Sequence, residues 1–173
     1  MDVSALRARQ APLKERYRGD PAAAHTPLAA TADWRDGGIT TTVDGWAGPV
    51  RAGLHPATGG DGQDACSGDL LLQALLGCAG VTLRSVATAM RLELRAVRLR
   101  ADGYFDARGT LGLDRSVPVG VQEVVVSAEV DTDADDAALA RLAELTERYC
   151  VVAQSLKERP RFVVTRTAGR PAV

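Results

Sequence analysis

From Leu70 to Leu83 almost every position is apolar or small; Gln73 interrupts the run and Arg84 is the first charge beyond it. A segment apolar nearly all the way round predicts a helix enclosed by other elements and not one lying on a surface. Its bounds read as about Gly68 to Met90, with Ser67 as N-cap and Asp69 in the first turn, where a carboxylate complements the positive helix end. Further on the pattern changes period. Leu92 to Tyr104 and Val121 to Val130 alternate as strands do, the second placing Val124, Val126, Ala128 and Val130 on one face. Thr132 followed by Asp135 resembles a capping box, and Leu139, Leu142, Leu145 and Tyr149 recur at helical spacing, so a second helix is predicted to end near Tyr149. Val151 to Lys157 reads as a short further helix and Phe162 to Arg166 as a last strand. Ala107 to Gly120, with Gly109, Gly112 and Pro118, reads as irregular.

Upstream, the β-branched run Ile39 to Val43 lies between Arg35-Asp36-Gly37-Gly38 and Asp44-Gly45. That pattern predicts an antiparallel meander over Thr31 to Val50. Gly53 to Gly62 has no periodicity and reads as a loop. Met1 to Arg18 is weakly helical around SALRARQ and KERYR, and Gly19-Asp20-Pro21 breaks it. The organisation is therefore an arm over residues 1–30 and one α+β domain over residues 31–173.

A chain of 173 residues is long enough to bury one core without metals or disulfides. Its 21 basic and 22 acidic residues, for a net charge of -1, create no field that would gather polyanions. Neither nucleic acid nor a membrane surface is an expected partner. The charged N-terminus lacks the apolar run of a signal peptide, which points to the cytoplasm. The apolar tract falls short of the roughly 20 residues that cross a bilayer.

The candidate chemistry is that of thiols. Three cysteines in a reducing compartment make no disulfide framework, which leaves reactive or merely buried thiols. Cys78 sits in the predicted central helix. Cys150 sits at a helix junction, near the positive end of the helix that follows, a position that lowers a thiol pKa. One thiol that attacks an oxidant and another that resolves the product would suit this pair; packing alone would also account for either, since free cysteine is commonly buried. Cys66 reads as incidental, about 18 Å from Cys78 along an ideal helix. There is no C-x-x-C, and His25 and His55 stand outside any ligand spacing, so no metal or cofactor is expected. The Gly-rich TGGDG from Thr58 lacks the Gly-Lys-Ser/Thr ending of a phosphate loop.

SGDLLLQALLGCAGVTLRSVA resembles the central helix of the OsmC/Ohr family of osmotically induced and organic-hydroperoxide-resistance proteins, and ERYCVVAQSL resembles that family's second cysteine motif, in the form found in its OsmC-like branch. The resemblance spans residues 31–168. It implies an OsmC-like α+β fold: an N-terminal antiparallel sheet, a long buried central helix, and a second sheet with helices, in an intertwined homodimer. It further implies a peroxidase in which Cys78 attacks an organic hydroperoxide and becomes a sulfenic acid. Cys150 then forms a disulfide with it, which a dithiol reduces, lipoyl-type or another low-molecular-weight thiol. Arg35 in WRDGG matches the family's thiolate-stabilising arginine, with Arg51 and Arg84 in reserve, and Asp69 stands near the glutamate that holds it. Here Val151 follows the second cysteine where the peroxidase branches commonly have Pro, and the helix opens Ser-Gly-Asp in place of Pro-x-Glu. A small apolar ligand-binding protein on the same scaffold, or a cysteine-dependent transferase or hydrolase, are the alternative readings.

Overall fold

The computed structural model describes residues 2–167. Its axis is the helix α2 (Ser67–Met90, with α1 defined below), 24 residues long. Within one chain, α2 buries a single face: Leu75, Ala79, Leu83, Val86 and Ala87. Ala74, Gly77 and Arg84 on the opposite flank are exposed, as is Val81 at 74%. The all-round enclosure that the sequence predicts is thus half met by the chain itself. In length and composition α2 could cross a membrane, but its buried face is packed into the core. The N-cap differs from expectation. Cys66 occupies it, without a side-chain cap hydrogen bond, and Ser67 is already helical. At the far end Arg91 takes a left-handed conformation, φ 60°, that closes the last turn.

Before it, α1 (Val3–Gly19) is one helix where the sequence predicts two weak pieces. Asp2 caps it by accepting from the Ala5 N–H at 2.8 Å, and its half-buried side chains include Val3, Leu6 and Tyr17. Four strands follow in the order β1 (Thr31–Asp33), β2 (Thr40–Gly45), β3 (Gly48–Gly53) and β4 (Ala65–Cys66). The first three form the antiparallel meander, while β4 pairs parallel to β3 and delivers the chain into α2. Gly60 in the intervening loop passes so close to the Leu54 carbonyl that a Cβ would collide with it.

The second sheet contains β5 (Ala96–Tyr104), β6 (Gln122–Asp131) and β7 (Arg161–Arg166), in that order. β6 is antiparallel to β5 and parallel to β7, which requires a crossover. The helices α4 (Asp136–Tyr149) and α5 (Val151–Ser155) supply it, and a single turn, α3 (Ala107–Thr110), lies in the β5–β6 connection. Val124, Val126, Ala128 and Val130 are all buried, as their alternation predicts. Leu139 and Leu142 of α4 meet Leu83 and Val86 of α2 over this sheet.

Two details of α4 correct the sequence reading. Its cap is Asp135, which accepts from the Ala138 N–H at 2.7 Å, whereas the Thr132 hydroxyl donates to the Glu93 carbonyl at 2.6 Å. Its buried face continues through Thr146, and Tyr149 is 59% exposed.

Candidate active site

α2 and the α4–α5 junction converge on one apolar cluster. Leu75 and Ala79 of α2, Val124 and Val126 of β6, and Cys150 and Ala153 of the junction are its buried members, and Cys78 and Val152 pack against them. Two cysteines 72 positions apart in the chain thus share one cluster, because Leu75 and Ala79 bind α2 to the sheet on the face that α5 covers. Cys150 is fully buried and Cys78 partly so.

The two thiols are shifted in opposite directions. Burial pushes Cys78 up, but hydrogen bonding to the Val152 N–H, the Cys150 thiol, the Thr82 hydroxyl and the Val151 N–H outweighs it, and the net shift is downward. Cys150 goes up: burial is the largest cause, and the neighbouring Cys78 adds to it against the Ala153 N–H. The sequence reading expected the start of α5 to lower Cys150 itself. The α5 N–H groups of Ala153 and Val152 do pull Cys150 down, but burial and the neighbouring Cys78 outweigh them; the N–H groups of Val151 and Val152 also favour the Cys78 thiolate, and the buried Cys150 keeps its proton. Chemically this is a nucleophile held toward its ionised form beside a neutral thiol.

Sequence reasoning missed Thr82 and the Val151 and Val152 N–H groups. Thr82 was legible in principle, since it lies four residues after Cys78 on the same helix face. The N–H groups carry no side-chain signal at all.

The polar candidates lie elsewhere in the chain. Arg35, just beyond β1, donates to Asp33 at 2.6 Å and to Asp44 at 2.5 Å. Its exposed guanidinium is not among the groups that shift Cys78. Asp69 is exposed in the first turn of α2, more than two turns before Cys78, and Arg35 is not paired with it. Arg51 pairs with Asp64 at 3.1 Å and Asp36 at 3.6 Å. Arg84 lies on the open flank of α2. Among the described residues of one chain, hydrogen-bond donors and not a cation lower the Cys78 thiol. Among the described residues no three His, Cys, Asp or Glu side chains converge to hold a metal.

The model for OsmC-like proteins matches residues 60–165, a span that includes both cysteine motifs. Among solved structures, an organic hydroperoxide resistance protein from Elizabethkingia anophelis superposes with a TM-score of 0.66 at 16% identity, covering 83% of this chain and 98% of its own. An OsmC-like protein of unknown function from Vibrio cholerae gives 0.64 at 15% identity, covering 83% and 100%. An organic hydroperoxide resistance protein from Legionella pneumophila gives 0.62 at 17% identity, covering 84% and 99%. No curated protein matches the chain in sequence. At these identities the structures establish the fold alone, and the family match over well more than half of the chain establishes the kinship: this protein belongs to the OsmC/Ohr family.

Proposed function

We propose that this protein is a thiol peroxidase that reduces organic hydroperoxides. The observation that carries the reading is the opposite displacement of two thiols in one apolar cluster, Cys78 toward thiolate and Cys150 toward thiol. The Cys78 thiolate attacks the terminal peroxide oxygen. The O–O bond breaks, the alkoxide leaves and takes up a proton, and Cys78 becomes a sulfenic acid. The Cys150 thiol then attacks the sulfenic sulfur, water leaves, and a Cys78–Cys150 disulfide forms. An external dithiol, lipoyl-type or a low-molecular-weight thiol, reduces that disulfide and is itself oxidised. The surrounding leucines, valines and Phe162 suit an alkyl hydroperoxide better than hydrogen peroxide. A family that includes organic hydroperoxide resistance proteins supports the same assignment.

The open flank of α2 bears on assembly. Ala74, Gly77, Val81 and Arg84 recur at three- and four-residue spacing and are exposed, with nothing within 4 Å of a Cβ placed on Gly77. A stripe of small and apolar positions that ends at Arg84 suits close helix pairing, and the proposed occupant is α2 of a second copy. Arg35 and Asp69 are proposed to act at the thiol in that homodimer, where a second copy can bring a guanidinium that the described residues of one chain do not.

The test is turnover of cumene hydroperoxide with dihydrolipoamide as reductant. The expected result is steady consumption by the native protein and none by Cys78→Ser. Native turnover by Cys78→Ser would eliminate the mechanism.

A further inference from the structure

Cys66 is the thiol that this mechanism leaves unused. It stands at the N-cap of α2, where Ser, Thr, Asp or Asn would ordinarily bond the first-turn N–H groups, and it makes no such bond. Beside it is a cavity of about 300 Å³ walled by Leu72, Tyr104, Phe105 and Val121, with His55 and Asp69 also on its lining. Gly68 is on the same lining. A Cβ there would lie 3.6 Å from the Cys66 Sγ and 3.9 Å from a methyl of Val121, in ordinary contact with both, so a longer side chain at this position would take up space beside the thiol.

The imidazole is held in place. Its Nδ1 accepts from the Ala57 N–H at 3.0 Å, and its ring meets Phe105 edge-on, with centroids 5.3 Å apart. With Nδ1 used as an acceptor, the neutral ring carries its proton on Nε2, which is therefore a donor. Tyr104, on the same lining, donates its hydroxyl to Glu123 at 3.0 Å, and Glu123 holds φ at 50°, a conformation that is uncommon outside glycine. A nucleophile, an apolar chamber and a fixed N–H donor on one lining make up the parts that a greasy carbonyl electrophile requires.

We propose that this cavity is a second site, at which Cys66 captures small apolar α,β-unsaturated aldehydes or ketones by conjugate addition. The sulfur forms a bond to the β-carbon, the C=C π pair moves to the α-carbon, and that carbon takes up a proton equivalent to the one the thiol loses. His55 donates to the carbonyl oxygen as charge develops there. No electrons enter or leave, and the product is a saturated thioether aldehyde or ketone on the protein. The site does not depend on the peroxidase cycle.

The experiment treats the native protein with trans-2-hexenal and follows Cys66, Cys78 and Cys150 separately by peptide mass mapping. Cys66 is expected to react about tenfold or more faster than glutathione, as binding beside the nucleophile confers. The rate should saturate with hexenal, and 2-hexanone, which has a similar body but no double bond, should compete. Gly68→Leu, which suits a helix while taking up space beside the thiol, should reduce the rate to that of glutathione, and His55→Gln should lower it in part. Reaction at the glutathione rate, no saturation, or an undiminished rate in Gly68→Leu would overturn the proposal. The competition measurement needs no variant, so a misfolded substitution leaves the proposal decidable. Loss of peroxide turnover in Cys78→Ser has no bearing on the Cys66 adduct, so the two readings fail separately.

Discussion

At the residue scale the account turns on Cys78, whose ionisation is favoured by donors that surround it. Its thiol is shifted below the ordinary thiol value and that of Cys150 above it. Because the folded state depresses Cys78, the stability linked to its charge is fully present above that ordinary value and is lost as pH falls through the folded one. Cys150 has the reverse sign: its raised value lowers stability as pH rises beyond the ordinary thiol range. Iodoacetamide at pH 7 should therefore label Cys78 well before Cys150, with a pH midpoint for Cys78 below that of free cysteine. Thr82→Val removes one of four donor groups, and the midpoint should move upward while Thr82→Ser restores it. An unmoved midpoint in Thr82→Val would remove the hydroxyl from the account. Cys78 and Cys150 could be read as a pair from their motifs. Which of them carries the charge could not, because the deciding groups include main-chain N–H donors at a junction whose position only the fold reveals.

Elements were more legible than residues. Strict alternation in β6 and the leucine spacing of α4 each specify one buried face, so the sequence predicts β6 nearly to the residue and α4 by its leucines and its C-terminal end, though not by its start. Caps were less legible, since several polar residues precede each helix and local geometry selects among them. Asp135 and not Thr132 caps α4, and Asp135→Ala should cost about 1 kcal/mol in thermal or denaturant unfolding. At α2 the opposite holds. Cys66 leaves its end uncapped, so Cys66→Ser should stabilise by about 0.5–1 kcal/mol, read as a higher Tm. Leu142, fully buried between α4 and the sheet, should cost about 2–5 kcal/mol as Leu142→Ala. A loss under 1 kcal/mol there would mean that α4 is not packed as described.

For the whole molecule, the informative mismatch is α2, predicted to be enclosed but covered by its own chain on one side only. In the proposed homodimer a second copy would cover the side that the single chain leaves open. On this account Val81→Glu should leave the helical circular dichroism signal near native while light scattering reports a monomer where the native protein is a dimer. Peroxide turnover should fall with it if Arg35 of a second copy completes the site. A native protein that is monomeric at micromolar concentration would refute this part of the account and leave the thiol pair standing.

The most direct test of the central claim is mass spectrometry of the protein after one equivalent of cumene hydroperoxide without reductant. The account predicts a loss of two hydrogens and a single linked peptide joining Cys78 to Cys150, reversed by dihydrolipoamide. Cys78 recovered unmodified, or carried on to the sulfinic acid with Cys150 still a free thiol, would contradict it.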